Sequence, residues 1–244
     1  MKLIKLLLFI IVLLGLAAFF TPLDLYYDKI KRNIRPIQLE GIGGSIIKGN
    51  AEQVKYLGMD IGQANWLMYP SSYNAATLEV KLKNKDYDIK AKYIKKPKFD
   101  VVKDLKGTLD WQFIANKINF SHGKISGYIE LDFDHLEIKK GVPHIISGRA
   151  TTKGLRIIKP VQKELGEIEV VFTSDNPQII VGQVNSTSNV LNVSGAIYIH
   201  KNHRWEIKLT LIPSPGEYEV EYVLQGIGDR RRAGGRTLNL AGFY

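Results

Sequence analysis

The stretch "NVLNVSGAIYIHKNHRWEIKLTLIP", Asn189 to Pro213, decides how this chain must fold. Leu191, Val193, Gly195, Ile197 and Ile199 recur at every second position. After a short polar break, Trp205, Ile207, Leu209 and Leu211 do the same. A period of two marks a half-buried strand, because successive side chains point to opposite faces of a sheet. Directly opposed residues of a hairpin share a face, so Ile199 must stand across from Trp205 rather than Arg204. That parity requires an odd loop, most simply Lys201-Asn202-His203 closed by a bulge.

The same logic extends outward. "LEVKLKNKDYDIKAKYI" alternates on both sides of Asn84-Lys85-Asp86. "YIELDFDHLEIKKGVPHIISGRA" turns near Lys140 to Pro143. Its apolar phase slips from Ile129, Leu131 and Phe133 to Leu136 and Ile138, which predicts a bulge near Asp134 and His135. "EIEVVFTSDNPQIIVGQV" turns at Asp175-Asn176-Pro177. In "QVKYLGMDIGQANWLMYP", Gln53 to Pro70, Gly58 serves a turn with positive φ. Met59 and Ile61 lie on odd positions, but Ala64, Trp66 and Met68 lie on even ones. The phase change across Gly62 predicts a second bulge and leaves Asp60 on the polar face of a strand.

One helix is expected. Ser214, Pro215, Gly216 and Glu217 read as a capping box with proline at the first helical position. Tyr218, Tyr222 and Gln225 would share one face, and Gly226 would stop it. A basic loop, "GDRRRAGG", then leads to a last strand, "RTLNLAGFY". An antiparallel sheet with so few helices must curl on itself or form a sandwich to cover its apolar face. The expected fold class is mainly β: an N-terminal transmembrane helix, then a curled antiparallel sheet, open-barrel or sandwich-like, with one short C-terminal helix. No second domain boundary, low-complexity segment or strict repeat is visible.

The N-terminus stands apart. After Lys2 and Lys5 the chain is uncharged from Leu6 to Leu23, close to the shortest helix of about 17–20 residues that spans a bilayer. Phe19 and Phe20 follow Ala17 and Ala18, a poor signal-peptidase site, so the run reads as a retained anchor. The expected division is an anchor over 1–23, a stalk over 24–36 and a β-rich domain over 37–244. Lys2 and Lys5 favour a cytoplasmic N-terminus. Lys29, Lys31, Arg32 and Arg35 oppose it, diluted by Asp24 and Asp28. The large domain is read as outside the cytoplasm, where long domains translocate largely regardless of charge.

The 244 residues contain no cysteine, which excludes disulfides, thiolate metal sites and thiol redox chemistry. Lysine and arginine number 34 against 24 acids, a net charge of +10. Such a balance suits anionic lipid headgroups or acidic protein surfaces, and nucleic acid is not expected outside the cytoplasm. "GIGGSIIKGN" and "GIGDRRRAGG" have neither P-loop spacing nor a complete G-x-G-x-x-G. No nucleophile elbow occurs, and Ser45 reads as a turn residue. Glu130, Asp132 and Asp134 line one strand face as a solvated ladder opposite lysines. His200 and His203 flank a hairpin loop without an added carboxylate, a weak basis for a metal. His122, His135 and His144 form no spacing motif, and the sequons at Asn185 and Asn192 count only in a eukaryotic secretory setting. Lys81, Lys83, Lys85, Lys90 and Lys92 make basic stripes opposite apolar ones. These guard a strand edge or face an anionic surface. No catalytic, cofactor-binding or metal-binding residue is expected, and no cofactor.

Four segments together resemble a known family. "LEGIGGSIIKG" and "AEQVKYLGMDIGQANWLMYP" behind a short anchor look like the front of type II secretion system protein N (general secretion pathway protein N). "GAIYIHKNHRWEIKLTLIP" and the ending "GRTLNLAGFY" are similar to its C-terminal half. The resemblance implies a single-pass inner-membrane protein of Gram-negative bacteria with its β-rich domain in the periplasm. Its implied role is that of an accessory interaction subunit in a machine that exports folded proteins, partnered by other subunits of the inner membrane and periplasm. It brings no catalytic residues. The alternative reading is a membrane-tethered lipid-binding or lipid-transfer module, in which a curled sheet offers an apolar trough to an acyl chain.

Overall fold

The computed structural model describes residues 21–72, 75–115 and 123–244. All but the last three residues of the run Leu6–Leu23 lie outside them, as does His122. Among the described residues, no helix is long and apolar enough to cross a membrane. They form a mainly β, antiparallel structure with three short helices, and they group into two compact units, one ending at Lys95 and the other starting at Lys96.

In the first unit, helix α1 (Asp24–Ile30) precedes a meander of β1 (Ile37–Gly44), β2 (Lys48–Tyr56), β3 (Met59–Ser72), β4 (Ala75–Lys83) and β5 (Tyr87–Lys95). Each strand pairs antiparallel with the next. Residues 24–36, read from sequence as a stalk, carry α1 and are tied to β1. The Leu39 N–H donates to the Tyr27 hydroxyl at 2.7 Å, and the Leu23 N–H donates to the Gly44 carbonyl at 2.8 Å. The expected turns form. Leu57 and Gly58 have φ of 51° and 81°, and Asn84 Oδ1 accepts from the Asp86 and Tyr87 amides.

The bulge at Gly62 also forms: Val54 pairs with Gly62 and the next pair is Lys55 with Asp60. Gly62 has φ of 83°, and a Cβ there would lie 2.4 Å from the Lys83 carbonyl oxygen. No other residue fits that place. Beyond the bulge Ala64, Trp66 and Met68 oppose Leu82, Val80 and Leu78, as their parity requires. Ala51, Val54 and Ala64 are buried at the centre of this face, with Leu39, Ile61, Trp66 and Leu82 packed around them.

Trp66 is half-buried. Its indole N–H donates to the Ser45 carbonyl at 3.1 Å, and its ring occupies the space a side chain at Gly49 would need. Trp66→Ala is therefore expected to destabilise by less than the roughly 3–5 kcal/mol of a fully buried tryptophan. Urea unfolding measures it. A loss at the top of that range would mean that the ring is more enclosed than its exposure says.

The second unit orders its strands β6 (Asp100–Asp110), β7 (Lys124–Lys139), β8 (Val142–Lys159), β10 (Ile168–Asn176), β11 (Ile179–Ser186), β12 (Leu191–His200), β13 (Arg204–Pro213), β15 (Arg236–Phe243) and β14 (Asp229–Arg230). The short β9 (Lys163–Glu164) lies on β8. Helix α2 (Trp111–Ala115) follows β6, and α3 (Tyr218–Leu224) follows β13. Ile199 pairs with Trp205, and His203 takes φ of 67° in a three-residue loop, as parity demanded. The β7–β8 ladder slips between Phe133 and His135, where the apolar phase changes. The β10–β11 corner differs by one residue from the expected Asp175-Asn176-Pro177. Asn176 still pairs with Ile179, so Pro177 and Gln178 make the corner, with Asn176 Oδ1 accepting the Gln178 N–H.

Helix α3 corrects the sequence reading in two respects. It starts at Tyr218, and no side chain caps it. The Ser214 hydroxyl instead donates to the Asn189 carbonyl at 2.7 Å, and the Glu217 carboxylate takes the Lys163 ammonium at 2.7 Å. Both ends of the expected capping box thus have tertiary partners. Val220, Val223 and Leu224 are buried, whereas Tyr218 and Tyr222 are exposed.

Candidate functional site

Because each strand of the second unit turns its apolar positions to one side, those faces meet in a shared interior. Ile125, Leu155, Ile157, Val184, Leu191 and Val193 are buried there, with Val220, Val223 and Leu224 of α3 laid against them. The packing does not fill the space. A cleft of about 330 Å³ remains, lined by side chains from β6, β7, β8, β10, β11, β12, β13 and β15, and by both helices of this unit. Among its lining residues only Thr152 carries a side-chain hydroxyl, and that oxygen already accepts the Ile168 N–H at 2.7 Å. The volume falls within the roughly 300–1,000 Å³ of small-molecule sites, but the convergent polar groups that such sites use for orientation are missing from its walls.

Leu224 also borders a second, polar hollow. Pro213, Glu221, Gln225, Arg230, Gly235 and Arg236 complete its lining. Arg230 and Arg236 are directly opposed across the β14–β15 ladder. Both line that hollow together with Glu221, so two basic residues share it with one acidic residue.

The residues singled out from sequence lie elsewhere and do not converge. Asp60 is exposed. Its carboxylate accepts from the Gly62 N–H at 2.8 Å and from the Gln53 amide at 2.7 Å, and these bonds hold its pKa below the ordinary carboxylate value. Asp60 thus fastens the bulge that Gly62 makes. Asp132 meets Lys106 at 2.9 Å and Arg149 at 3.6 Å, and the hydrogen bond from Lys106 lowers its pKa. Of the expected carboxylate ladder only Asp132 meets a lysine among the described residues: Glu130 stands opposite Thr108 and Thr151, and the bulge after Phe133 takes Asp134 out of step. Lys81 and Lys83 both approach Asp88, at 3.1 and 3.7 Å.

His200 and His203 part company. His200 is half-buried with its Nε2 3.4 Å from Glu206, a carboxylate that the sequence reading had not placed there. The Glu206 carboxylate also takes Lys208 at 2.7 Å and Arg204 at 3.1 Å, and the hydrogen bond from Lys208 is the first cause of its lowered pKa. His203 rests against the Tyr244 ring, with centroids 5.3 Å apart. Among the described residues no group of three or more acids and histidines is placed to hold a metal ion. Ser45 is buried, with its hydroxyl accepting the Lys48 N–H, so it serves the β1–β2 turn.

The family model for type II secretion system protein N matches residues 35–239, well over half of the 244 residues. The chain belongs to the type II secretion system protein N family. The match runs through both compact units and includes every residue of the polar hollow and most of the cleft lining. Neither the curated proteins nor the solved structures contain a match to the chain. Membership of this family associates the protein with type II secretion and the cell envelope.

For a protein N family member, Asp60 is a stringent control. Asp60→Ala is expected to leave secretion intact in a complemented deletion strain, with at most a small drop in melting temperature. Loss of secretion at normal protein abundance would instead make the β2–β3 corner a working surface.

Proposed function

We propose that the protein is an accessory subunit of the type II secretion apparatus that works by contact rather than by catalysis. In this reading residues 1–23 anchor it in the bacterial inner membrane, and the β-rich part over 37–244 stands in the periplasm against other subunits of the apparatus. The observation that carries the proposal is the family match across both units. The occupation of Asp60, Asp132 and Glu206 in local hydrogen bonds and ion pairs, each with its own partners, supports contact over acid–base chemistry.

Deletion of the gene tests it. Proteins normally exported should accumulate in the periplasm and fall in the medium, and the full chain should restore them. Unchanged partitioning would overturn the role. The anchor is checked separately: membrane-extracted protein should begin at or near Met1, and a periplasmic reporter fused after Tyr244 should be active.

A second reading is favoured by the cleft. A membrane-tethered β-groove that binds lipid needs an apolar interior that is not packed shut, and about 330 Å³ of the second unit's interior is open. The two readings are compatible, since a secretion subunit can hold a lipid.

A further inference from the structure

We propose that the cleft takes one acyl chain of an anionic phospholipid, whose headgroup sits between Arg230 and Arg236 in the adjoining hollow. The proposal rests on the groove reading above and names its ligand. Three observations lead to it.

The first is the chemistry of the walls. A peptide threaded in extended form would bring a row of N–H and C=O groups into a space whose only side-chain polar groups are the Thr152 hydroxyl, already bonded, and the Trp111 indole N–H, and unpaired buried amides are strongly disfavoured. A helix satisfies its own backbone, but its diameter of about 10–12 Å is too large for so small a space. A hydrocarbon chain carries no polar group and needs none from the walls.

The second is the juxtaposition. Leu224 lines both the apolar cleft and the polar hollow, so the two spaces adjoin at that one side chain, and an occupant that moves it aside would have its tail in one and its head in the other. An amphiphile is the class of molecule that fits two such spaces at once.

The third is charge. Arg230 and Arg236 are cross-strand neighbours, an arrangement that like charges disfavour unless an anion lies between them. Among the described residues neither forms an ion pair, and Arg236 makes only a long bond of 3.4 Å to the Gly228 carbonyl. With Glu221 the hollow's lining still holds one more basic than acidic residue, and a phosphodiester would supply the missing negative charge. Arginine forks suit phosphate oxygens. A zwitterionic headgroup would bring its own cation into the same hollow.

The test uses the full chain reconstituted in vesicles of phosphatidylcholine and phosphatidylglycerol. One lipid at a time carries a diazirine midway along an acyl chain. After irradiation, labelled peptides are mapped. The phosphatidylglycerol probe should label the cleft-lining peptides around Leu191–Ile197 and Ile207–Leu211, and the phosphatidylcholine probe should label them far less.

Substitution of Arg230→Gln or Arg236→Gln should cut the phosphatidylglycerol signal by about fivefold each, while melting temperature is unchanged. Ile197→Phe, which narrows the cleft, should reduce labelling with either probe. If that variant fails to fold, the arginine variants still decide. Labelling that does not distinguish the two lipids and survives both arginine substitutions would leave the groove reading standing and overturn the anionic ligand. No labelling inside the cleft with either probe would overturn both. A photoreactive residue at Leu240 that captures a polypeptide in place of lipid would also overturn the proposal.

Discussion

Gly195→Ala is expected to unfold the protein at much lower urea than the parent, with a loss of roughly 2–6 kcal/mol. Two costs add. Gly195 sits in the middle of β12 with φ of 143°, a conformation open almost only to glycine, and forcing another residue into it costs about 1–3 kcal/mol. A Cβ there would also lie 2.1 Å from the Lys208 carbonyl oxygen and 2.9 Å from the Leu209 Cα. These are backbone atoms of the paired strand and cannot rotate aside, so the hairpin must shift, at about 1–3 kcal/mol more. Domains are stable by only about 5–15 kcal/mol, which makes the sum a large fraction of the whole. Gly58→Ala is the matched control. Its φ is 81° but a Cβ there meets nothing within 4 Å, so only the backbone cost of about 1–2 kcal/mol applies. Equal midpoints for the two variants would show that β12 and β13 do not approach as described.

Ile157→Ala is expected to cost about 2–5 kcal/mol, the range for large-to-small changes in a core. Ile157 is fully buried and belongs to the cluster that joins β7, β8, β12 and α3. It also borders the cleft, so the void its truncation leaves merges with space already open. The neighbours on that side have no atoms to move in and fill it. Leu240→Ala makes the comparison, since Leu240 lines the same cleft at 36% exposure and gives up much less burial. Differential scanning calorimetry should therefore rank Ile157→Ala well below Leu240→Ala in melting temperature. The reverse order would mean that the buried cluster is not what holds the second unit together.

The contrast between these elements shows where local information ends. The β12–β13 hairpin was legible because two faces alternating across a short polar break admit one parity, and Ile199 can meet only Trp205. The bulges at Gly62 and after Phe133 were legible for the same reason: a change of apolar phase within one strand needs an extra residue. Helix α3 was half legible. Its local capping signal lost to tertiary partners, Asn189 for Ser214 and Lys163 for Glu217, which no sequence window contains. The spacing of Val220, Val223 and Leu224, one helical face at i, i+3 and i+4, was present in the sequence and marks the side that is buried.

By itself, then, the sequence determined strand faces, hairpin register, most turn positions and the family. These depend on side-chain period and on residues close along the chain. Tertiary structure decided three things. It set His200 against Glu206, a diagonal contact that exists only once the register is formed. It opened the cleft, because a void is the difference between the volume that eight strands enclose and the volume their side chains fill. It also set Arg230 opposite Arg236 in the hollow that shares Leu224 with the cleft, since residues of two strands become neighbours only when the strands have paired.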